Sequence, residues 1–170
     1  EAGNAVRNEV KINNTGNVWD DYLCSFKVYD ALGRITHEID ALNSVTAYTY
    51  DSLGNQITTK RYANGLTALP ADGRQYYIVD DITADALKAD PVKDRTLTTG
   101  YDRLGNKVWV QQDMVSIFTF TGSVSTSTTQ AVAPTTLYTY DAFGRVVKET
   151  LVGRDANGAT QITGAFKTYY

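Results

Sequence analysis

The chain has 170 residues, with 16 Lys and Arg against 19 Asp and Glu, and its formal net charge of −3 gives no basis for a nucleic-acid partner. A single Cys and a single His exclude an internal disulfide framework and a Cys/His zinc site. No apolar run approaches the roughly 20 residues that span a bilayer as a helix. Much of the hydrophobic fraction is Tyr, Val and Ile, which is a composition typical of strands.

In chain order, the first half of the sequence predicts an antiparallel meander over residues 10–66. Turn signals recur there every ten or eleven residues, which leaves strands of about six residues between them. The predicted strands are Val10–Ile12, Tyr22–Tyr29, Arg34–Ile39, Val45–Tyr50 and Gln56–Tyr62. Because the parity of the apolar positions differs between strands, the pattern leaves the buried face of each strand open.

Two irregular insertions, residues 66–100 and 109–137, interrupt this rhythm. The first predicts a strand over Gln75–Val79 and a short surface helix near 83–90, which Asp90-Pro91 would end. The second predicts a strand over 116–120, followed by a polar run at 123–130. That run is either a mobile loop or the Thr-rich tip of a long β-hairpin.

A motif of the form Tyr-Asp-x-apolar-Gly-Arg/Asn recurs through the chain. The strong repeats are 29–34, 48–55, 101–106 and 138–145, and weaker copies lie at 13–17, 40–43, 62–65 and 155–158. The residues assigned to the strong repeats are Tyr29, Asp30, Gly33, Arg34, Tyr48, Tyr50, Asp51, Gly54, Tyr101, Asp102, Gly105, Tyr138, Tyr140, Asp141, Gly144 and Arg145. The sequence therefore predicts a single segment of repeats over residues 1–170.

Each position of the motif has a physical role in closing a hairpin. The Asp carboxylate accepts hydrogen bonds from backbone N–H groups two residues on, and the Gly adopts a positive φ, as in a type I turn followed by a Gly bulge. The apolar residue of the turn is unusual, because an exposed turn is normally polar. We therefore expect the four apolar tips, Leu32, Leu53, Leu104 and Phe143, to be packed against another layer.

The tyrosines admit a functional and a structural interpretation. Tyr48, Tyr50, Tyr138 and Tyr140 could stack on sugars, with nearby polar groups binding the hydroxyls. The favoured interpretation is that they form cross-strand ladders that hold neighbouring hairpins together. Arg34 and Arg145 could bridge to the Asp of an adjacent repeat.

Catalytic and metal sites have little support in the sequence. Cys24 and His37 flank the first strong turn, but a nucleophilic pair also needs an orienting group and an oxyanion site. The acid pairs at 20–21 and 80–81 lie outside any calcium-loop pattern, and each repeated Asp is explained by its turn. We predict no catalytic residue, no cofactor and no metal, and hence no enzyme.

The repeated motif resembles the YD repeat of the Rhs family, whose relatives include shell-forming components of bacterial Tc toxins and teneurins. The resemblance implies antiparallel strands that spiral into a hollow β-shell, which in toxin members encloses a C-terminal effector domain. It also implies a secreted or cell-surface protein, bacterial in origin, and an association with carbohydrate.

From this resemblance we expect a structural segment of a longer repeat protein, folded as an open, curved sheet or a small sandwich. Its partners would be the rest of its own chain, namely further repeats and an enclosed C-terminal domain, with carbohydrate as an alternative ligand. Its exposed edge strands would also pair between copies of the segment.

Overall fold

A computed structural model of the chain describes residues 5–11, 22–66, 77–121 and 126–168. The predicted turn at 13–17 lies outside these residues. The fold is an antiparallel all-β meander with one short helix among the described residues, which confirms the predicted fold class. No helix in the described ranges is long and apolar enough to cross a membrane.

The chain divides into two compact units, residues 1–50 with 58–95, and residues 51–57 with 96–170.

The first unit is built from consecutive antiparallel strands. They are β1 (Ala5–Lys11), β2 (Tyr22–Tyr29), β3 (Ile35–Ile39) and β4 (Val45–Tyr50), followed by residues 58–61 of β5 (Gln56–Arg61). The predicted bounds of β2 and β4 are confirmed to the residue.

The core of the first unit lies on one face of this sheet. Phe26, Val28, Ile39 and Val45 are buried there beneath Leu66, Tyr77, Ile82 and Leu87. The rings of Phe26 and Tyr77 meet edge to face, with centroids 5.2 Å apart. The insertion therefore supplies the layer that removes this face of the sheet from water.

The covering layer differs from the sequence prediction in two respects. In its described part, the predicted strand Gln75–Val79 is wrong, because Val79–Asp81 forms a 3₁₀ turn in which the Asp81 carboxylate accepts the Ile78 N–H at 2.7 Å. The predicted helix is present as α1 (Ala84–Leu87). It is shorter than predicted and is not purely a surface element, since Leu87 is only 5% exposed.

The second unit has one strand branching from its meander. Its strands are β6 (Arg95–Tyr101), whose first residue belongs to the first unit, β7 (Lys107–Gln112), β8 (Val115–Thr121), β9 (Thr126–Tyr140), β10 (Val146–Arg154) and β11 (Thr160–Thr168). The hydrogen-bonded order is β6-β7-β9-β10-β11, and β8 pairs with the first part of β9. Residues 126–130 are thus part of a strand, as the long-hairpin alternative predicts. The buried residues of this unit include Val132, Ala133, Thr135 and Val152.

A β-bulge follows three of the strong turns. The register shifts by one residue between Val28 and Tyr29, between Gly100 and Tyr101, and between Val146 and Lys148. An extra residue in one strand reverses its alternation of side chains relative to its partner. This is why the buried face could not be carried across the turns from sequence parity.

Candidate functional site: the Tyr-Asp hairpins

The strong turns share one backbone geometry. In the first, the Asp30 N–H donates to the Arg34 carbonyl at 2.9 Å, and the Gly33 N–H donates to the Asp30 carbonyl at 3.0 Å. Equivalent pairs close the turns that begin at Asp51, Asp102 and Asp141. The four glycines have φ values from +77° to +90°, a left-handed conformation that costs other residues about 1–2 kcal/mol.

The Asp carboxylate organises each turn through both of its oxygens. Oδ1 of Asp30 accepts the N–H groups of Leu32 and Arg34, each at 2.9 Å, and the other three turns repeat this arrangement. Oδ2 accepts a side-chain N–H from the residue after Gly. The donors are Arg34 and Arg145 at 2.7 Å, and Asn55 and Asn106 at 2.9 Å.

These contacts stabilise the ionised form of each carboxylate. The backbone N–H of Arg34 is the main cause of the lowered pKa of Asp30, and that of Arg145 has the same effect on the pKa of Asp141. For Asp51 and Asp102, the amide side chains of Asn55 and Asn106 lower the pKa most.

The ion-pair partner that the structure shows for Arg34 and Arg145 lies in their own turns, whereas the sequence predicts a bridge to the Asp of an adjacent repeat. Each guanidinium forms an ion pair with the Asp of its own turn, with Nη2 2.7 Å from Oδ2. The turn favours this local pairing because it brings the two side chains together at a separation of four residues.

The tyrosine that precedes Asp makes the contact between hairpins. The Tyr50 hydroxyl donates to the Ile35 carbonyl at 2.7 Å, Tyr101 donates to the Gln56 carbonyl at 3.0 Å, and Tyr140 donates to the Lys107 carbonyl at 2.8 Å. The three acceptors are the first residues of β3, β5 and β7. Each acceptor also stands two places after the Gly of the preceding strong turn. This bond between a Tyr hydroxyl and the start of the preceding hairpin's outgoing strand is here called the tyrosine link.

The sequence reasoning missed the acceptor in these links. It predicts ladders between tyrosines, whereas the rings of the motif reach backbone carbonyls. The sequence does contain a signal for these links, because Tyr always stands directly before the turn Asp. Its hydroxyl therefore has a fixed position relative to its own turn, and it can reach a carbonyl that has a fixed position relative to the preceding turn. A Tyr phenol ionises only near a pKa of about 10, so each hydroxyl is a donor at neutral pH, and burial raises the pKa of Tyr50, Tyr101 and Tyr140 further.

The upstream tyrosines, two places earlier, have different surroundings in the two units. The Tyr48 hydroxyl donates to Glu38 Oε2 at 2.6 Å, and Lys27 Nζ lies 3.0 Å from the other Glu38 oxygen. The Tyr48 bond is the main cause of the lowered pKa of Glu38. The hydroxyl of Tyr138 has no hydrogen bond to a described residue.

The four candidate sugar-contacting rings are thus engaged to different degrees. Tyr50 and Tyr140 form tyrosine links, Tyr48 binds Glu38, and the Arg34 guanidinium lies 4.7 Å from the centre of the Tyr50 ring. Carbohydrate contact at Tyr48, Tyr50, Tyr138 and Tyr140 stays a prediction.

The apolar tips of the strong turns are not packed within this chain, contrary to prediction. Leu32 is 77% exposed, Leu53 76%, Leu104 87% and Phe143 85%. The turn closes through the backbone and the Asp carboxylate, so the apolar side chain between them is left exposed. Phe143 meets the Arg145 guanidinium, 5.4 Å from its ring centre, and is still 85% exposed.

The residues considered for catalysis do not form a reactive pair. His37 lies opposite Val28 in the sheet, and Cys24 is four positions farther along β2, about 13 Å away at the rise of a β-strand. The Cys24 sulfur accepts a hydrogen bond from Arg7 at 3.3 Å, and His37 Nδ1 lies 3.2 Å from the Thr36 hydroxyl. Burial lowers the pKa of His37.

The other acidic candidates, at 20–21 and 80–81, lie partly within the described residues. Asp20 and Asp21 lie outside the described residues, whereas Asp81 closes the 3₁₀ turn. Within the described ranges, no three His, Cys, Asp or Glu side chains group as metal ligands would.

Comparison with known proteins points to the same repeat. Residues 29–67 match the family model described as RHS repeat. No curated protein matches the chain. Among solved structures, 11 chains match, including one from "Crystal Structure of TcdB2-TccC3-Cdc42" with 14% identity and a TM-score of 0.28. That match covers 96% of this chain and 11% of the other, so the present chain spans about a tenth of its length.

Proposed function

We propose that this chain, which carries an RHS repeat over residues 29–67, forms part of the wall of a larger β-shell in a secreted or cell-surface protein. The tyrosine links are the observation that carries this proposal. They occur three times, and each ties a strong hairpin to the one before it. The function they serve is to assemble successive hairpins into a continuous sheet.

The chemistry of the link suits an extendable wall. The acceptor is a backbone carbonyl, which every residue provides, so a hairpin needs only its own Tyr-Asp motif to join the one before it. The links span 15, 45 and 33 positions of sequence, which means that an insertion between hairpins does not prevent them.

The repeated carboxylates are poorly suited to acid–base catalysis. A general acid or base acts best when its pKa lies near the working pH. The pKa values of Asp30, Asp51, Asp102 and Asp141 are instead lowered by the hydrogen bonds of their turns. Their repeated environment supports a structural role in all four turns.

The outer strands offer places for the wall to continue. Among the described strands, β1 pairs with β2 alone and β11 pairs with β10 alone. The free edge of a strand presents unpaired N–H and C=O groups that favour a further strand. In a longer protein, further repeats would occupy these edges, and the completed shell would enclose a C-terminal domain.

Electron cryomicroscopy of a longer repeat protein containing this sequence tests the proposal. We expect β1 and β11 each to pair with a strand from outside residues 1–170, and the sheet to continue around a cavity. A structure in which this segment stands apart, with both outer strands solvated, would overturn the proposal.

A glycan array distinguishes the wall from the carbohydrate alternative. Saturable binding that disappears in Tyr48→Ala or Tyr138→Ala, with the fold retained by circular dichroism, would favour a carbohydrate-binding module. The wall function predicts no such binding.

A further inference from the structure

A groove in the first unit concentrates positive charge. It has a volume of about 230 Å³ and is lined by Ser44, Arg61, Tyr62, Ala63, Lys93 and Arg95. Three of these six residues are basic, although the chain as a whole carries a net charge of −3. The groove is therefore locally opposite in sign to the protein.

The acidic residues beside the groove do not cancel this charge. Asp94 Oδ2 lies 3.1 Å from Lys60 Nζ, so its charge is matched by a cation that does not line the groove. Asp90 lies 3.5 Å from Lys93 Nζ, and the Lys93 side chain is 75% exposed. Asp40 also borders the groove, since its carboxylate accepts the Ser44 N–H at 2.9 Å. With Lys60, Arg61, Lys93 and Arg95 set against Asp40, Asp90 and Asp94, the local balance is 4 − 3 = +1.

The two arginines supply the charge in excess. Arg95 Nη1 donates to the carbonyls of Val92 at 2.8 Å and Asp94 at 3.0 Å, and these neutral acceptors fix the guanidinium without compensating it. Arg61 is exposed and makes no ion pair with a described residue.

A second groove adjoins the first and contains acidic residues, which restrict the positions at which an anion would bind favourably. It shares Ser44 and Arg61 with the first groove but also contains Glu38 and Asp40. These carboxylates would repel an anion there, so the end formed by Arg61, Lys93 and Arg95 is the favourable one.

We propose that the groove lined by Arg61, Lys93 and Arg95 binds a phosphate or sulfate group. A guanidinium offers parallel N–H donors that match two oxygens of such a group, and the Lys ammonium adds a third cation. Ser44 and Tyr62, whose hydroxyl groups are hydrogen-bond donors, line the same groove. The group is either a free ion or the terminal group of an ester, and the two sources share this chemistry.

Titrations of the 170-residue chain test the site. Sodium phosphate, sodium sulfate and glucose 6-phosphate are each added at constant ionic strength and followed by backbone amide NMR. We expect saturable shifts at residues 61–63 and 93–95. Tighter binding of glucose 6-phosphate than of inorganic phosphate would support an ester as the ligand, and equal binding would support a free ion.

A matched pair of variants separates the site from general attraction. Arg61→Gln with Arg95→Gln removes two positive charges from the groove, and Arg103→Gln with Lys107→Gln removes two exposed charges elsewhere. We expect the first pair to weaken binding by about tenfold or more, because hydrogen bonds to charged groups are the stronger ones. Binding should be unchanged in the second pair.

Two outcomes would overturn the proposal. One is equal weakening in both pairs of variants. The other is a response in the wild-type chain that rises linearly with anion concentration and is not confined to the groove. Because the wild-type shifts are read residue by residue, this second outcome does not depend on the variants folding.

Discussion

Two turns of the first unit, Asp30–Arg34 and Asp40–Ser44, show which parts of the motif make a turn and which parts make a connection. Both close with the same backbone bonds, and in both Asp Oδ1 accepts two N–H groups at 2.9 Å. Asn43, with a φ of +62°, takes the place of Gly33. An Asp and a residue that tolerates left-handed φ are therefore enough to form the turn.

The connections around these two turns differ. The first has Tyr29 before Asp30, and it has Arg34 after Gly33 to bind the second carboxylate oxygen. The Asp40 turn has the buried Ile39 and the short Ser44 in those places. It is held instead by a neighbouring segment, since the Leu66 N–H donates to the Asn43 carbonyl at 2.9 Å.

The largest effect is expected where the neighbouring segment around Leu66 contacts the Asp40 turn. In Gly65→Ala, the new Cβ would lie 2.6 Å from the Asn43 carbonyl oxygen, and a backbone atom cannot easily move aside. We expect the free energy of unfolding to fall by about 3 kcal/mol, measured by urea denaturation. Gly33→Ala, where nothing lies within 4 Å of the Cβ, should cost about 1–2 kcal/mol from its positive φ alone. A greater loss at Gly33 would contradict the comparison.

A smaller effect is expected when one tyrosine link is removed. Tyr140→Phe deletes the hydroxyl that binds the Lys107 carbonyl and should lower the free energy of unfolding by about 1 kcal/mol. Tyr138→Phe is the matched control from the same strand, since its hydroxyl has no bond to a described residue. Equal losses in the two variants, measured by urea denaturation, would show that the link contributes nothing specific.

The side chain after Gly should contribute less. Arg34→Ala removes the ion pair with Asp30 and the contact with the Tyr50 ring, both partly exposed, so we expect a loss below about 1 kcal/mol. Ser44→Ala, at the matching place in the Asp40 turn, should lose less. Thermal melts at low and high salt provide the measurement, and the Arg34 effect should shrink in high salt.

The smallest effect expected of each turn Asp carboxylate is its contribution to the pH dependence of the free energy of unfolding. The folded pKa values of Asp30, Asp51, Asp102 and Asp141 lie below the unfolded value of about 3.9, so their stabilisation is present above that pH. It is lost as the pH falls through the folded values. The urea concentration at the midpoint of unfolding should therefore decrease as the pH is lowered below about 4. Arg34→Ala should make this decrease smaller. Midpoints that rise on acidification would contradict this sign.

The local features of the fold follow from sequence because they depend on neighbouring residues. The bounds of β2 and β4 were predictable because a turn signal lies at one or both ends of each strand. The left-handed φ of Gly33 and Asn43 follows in the same way from their places in the turns.

The features that were missed depend on residues far apart in the chain. The burial of Phe26 by Tyr77 needs the path of the insertion, which has no periodicity to reveal it. The exposed Leu104 was expected to be packed because an apolar residue in a turn suggests cover, and the turn geometry supplies none. The acceptor of Tyr101 lies 45 residues away and requires the strand order.

The tyrosine link also has a consequence for how such a chain changes over generations. Because the donor belongs to one hairpin and the acceptor is main chain, the sequences of two joined hairpins need not change together. A hairpin that is duplicated, lost or exchanged can therefore be accommodated without compensating substitutions in its neighbour. The link between Gln56 and Tyr101 is an instance, because these residues are 45 positions apart and a long insertion lies between two hairpins that remain joined.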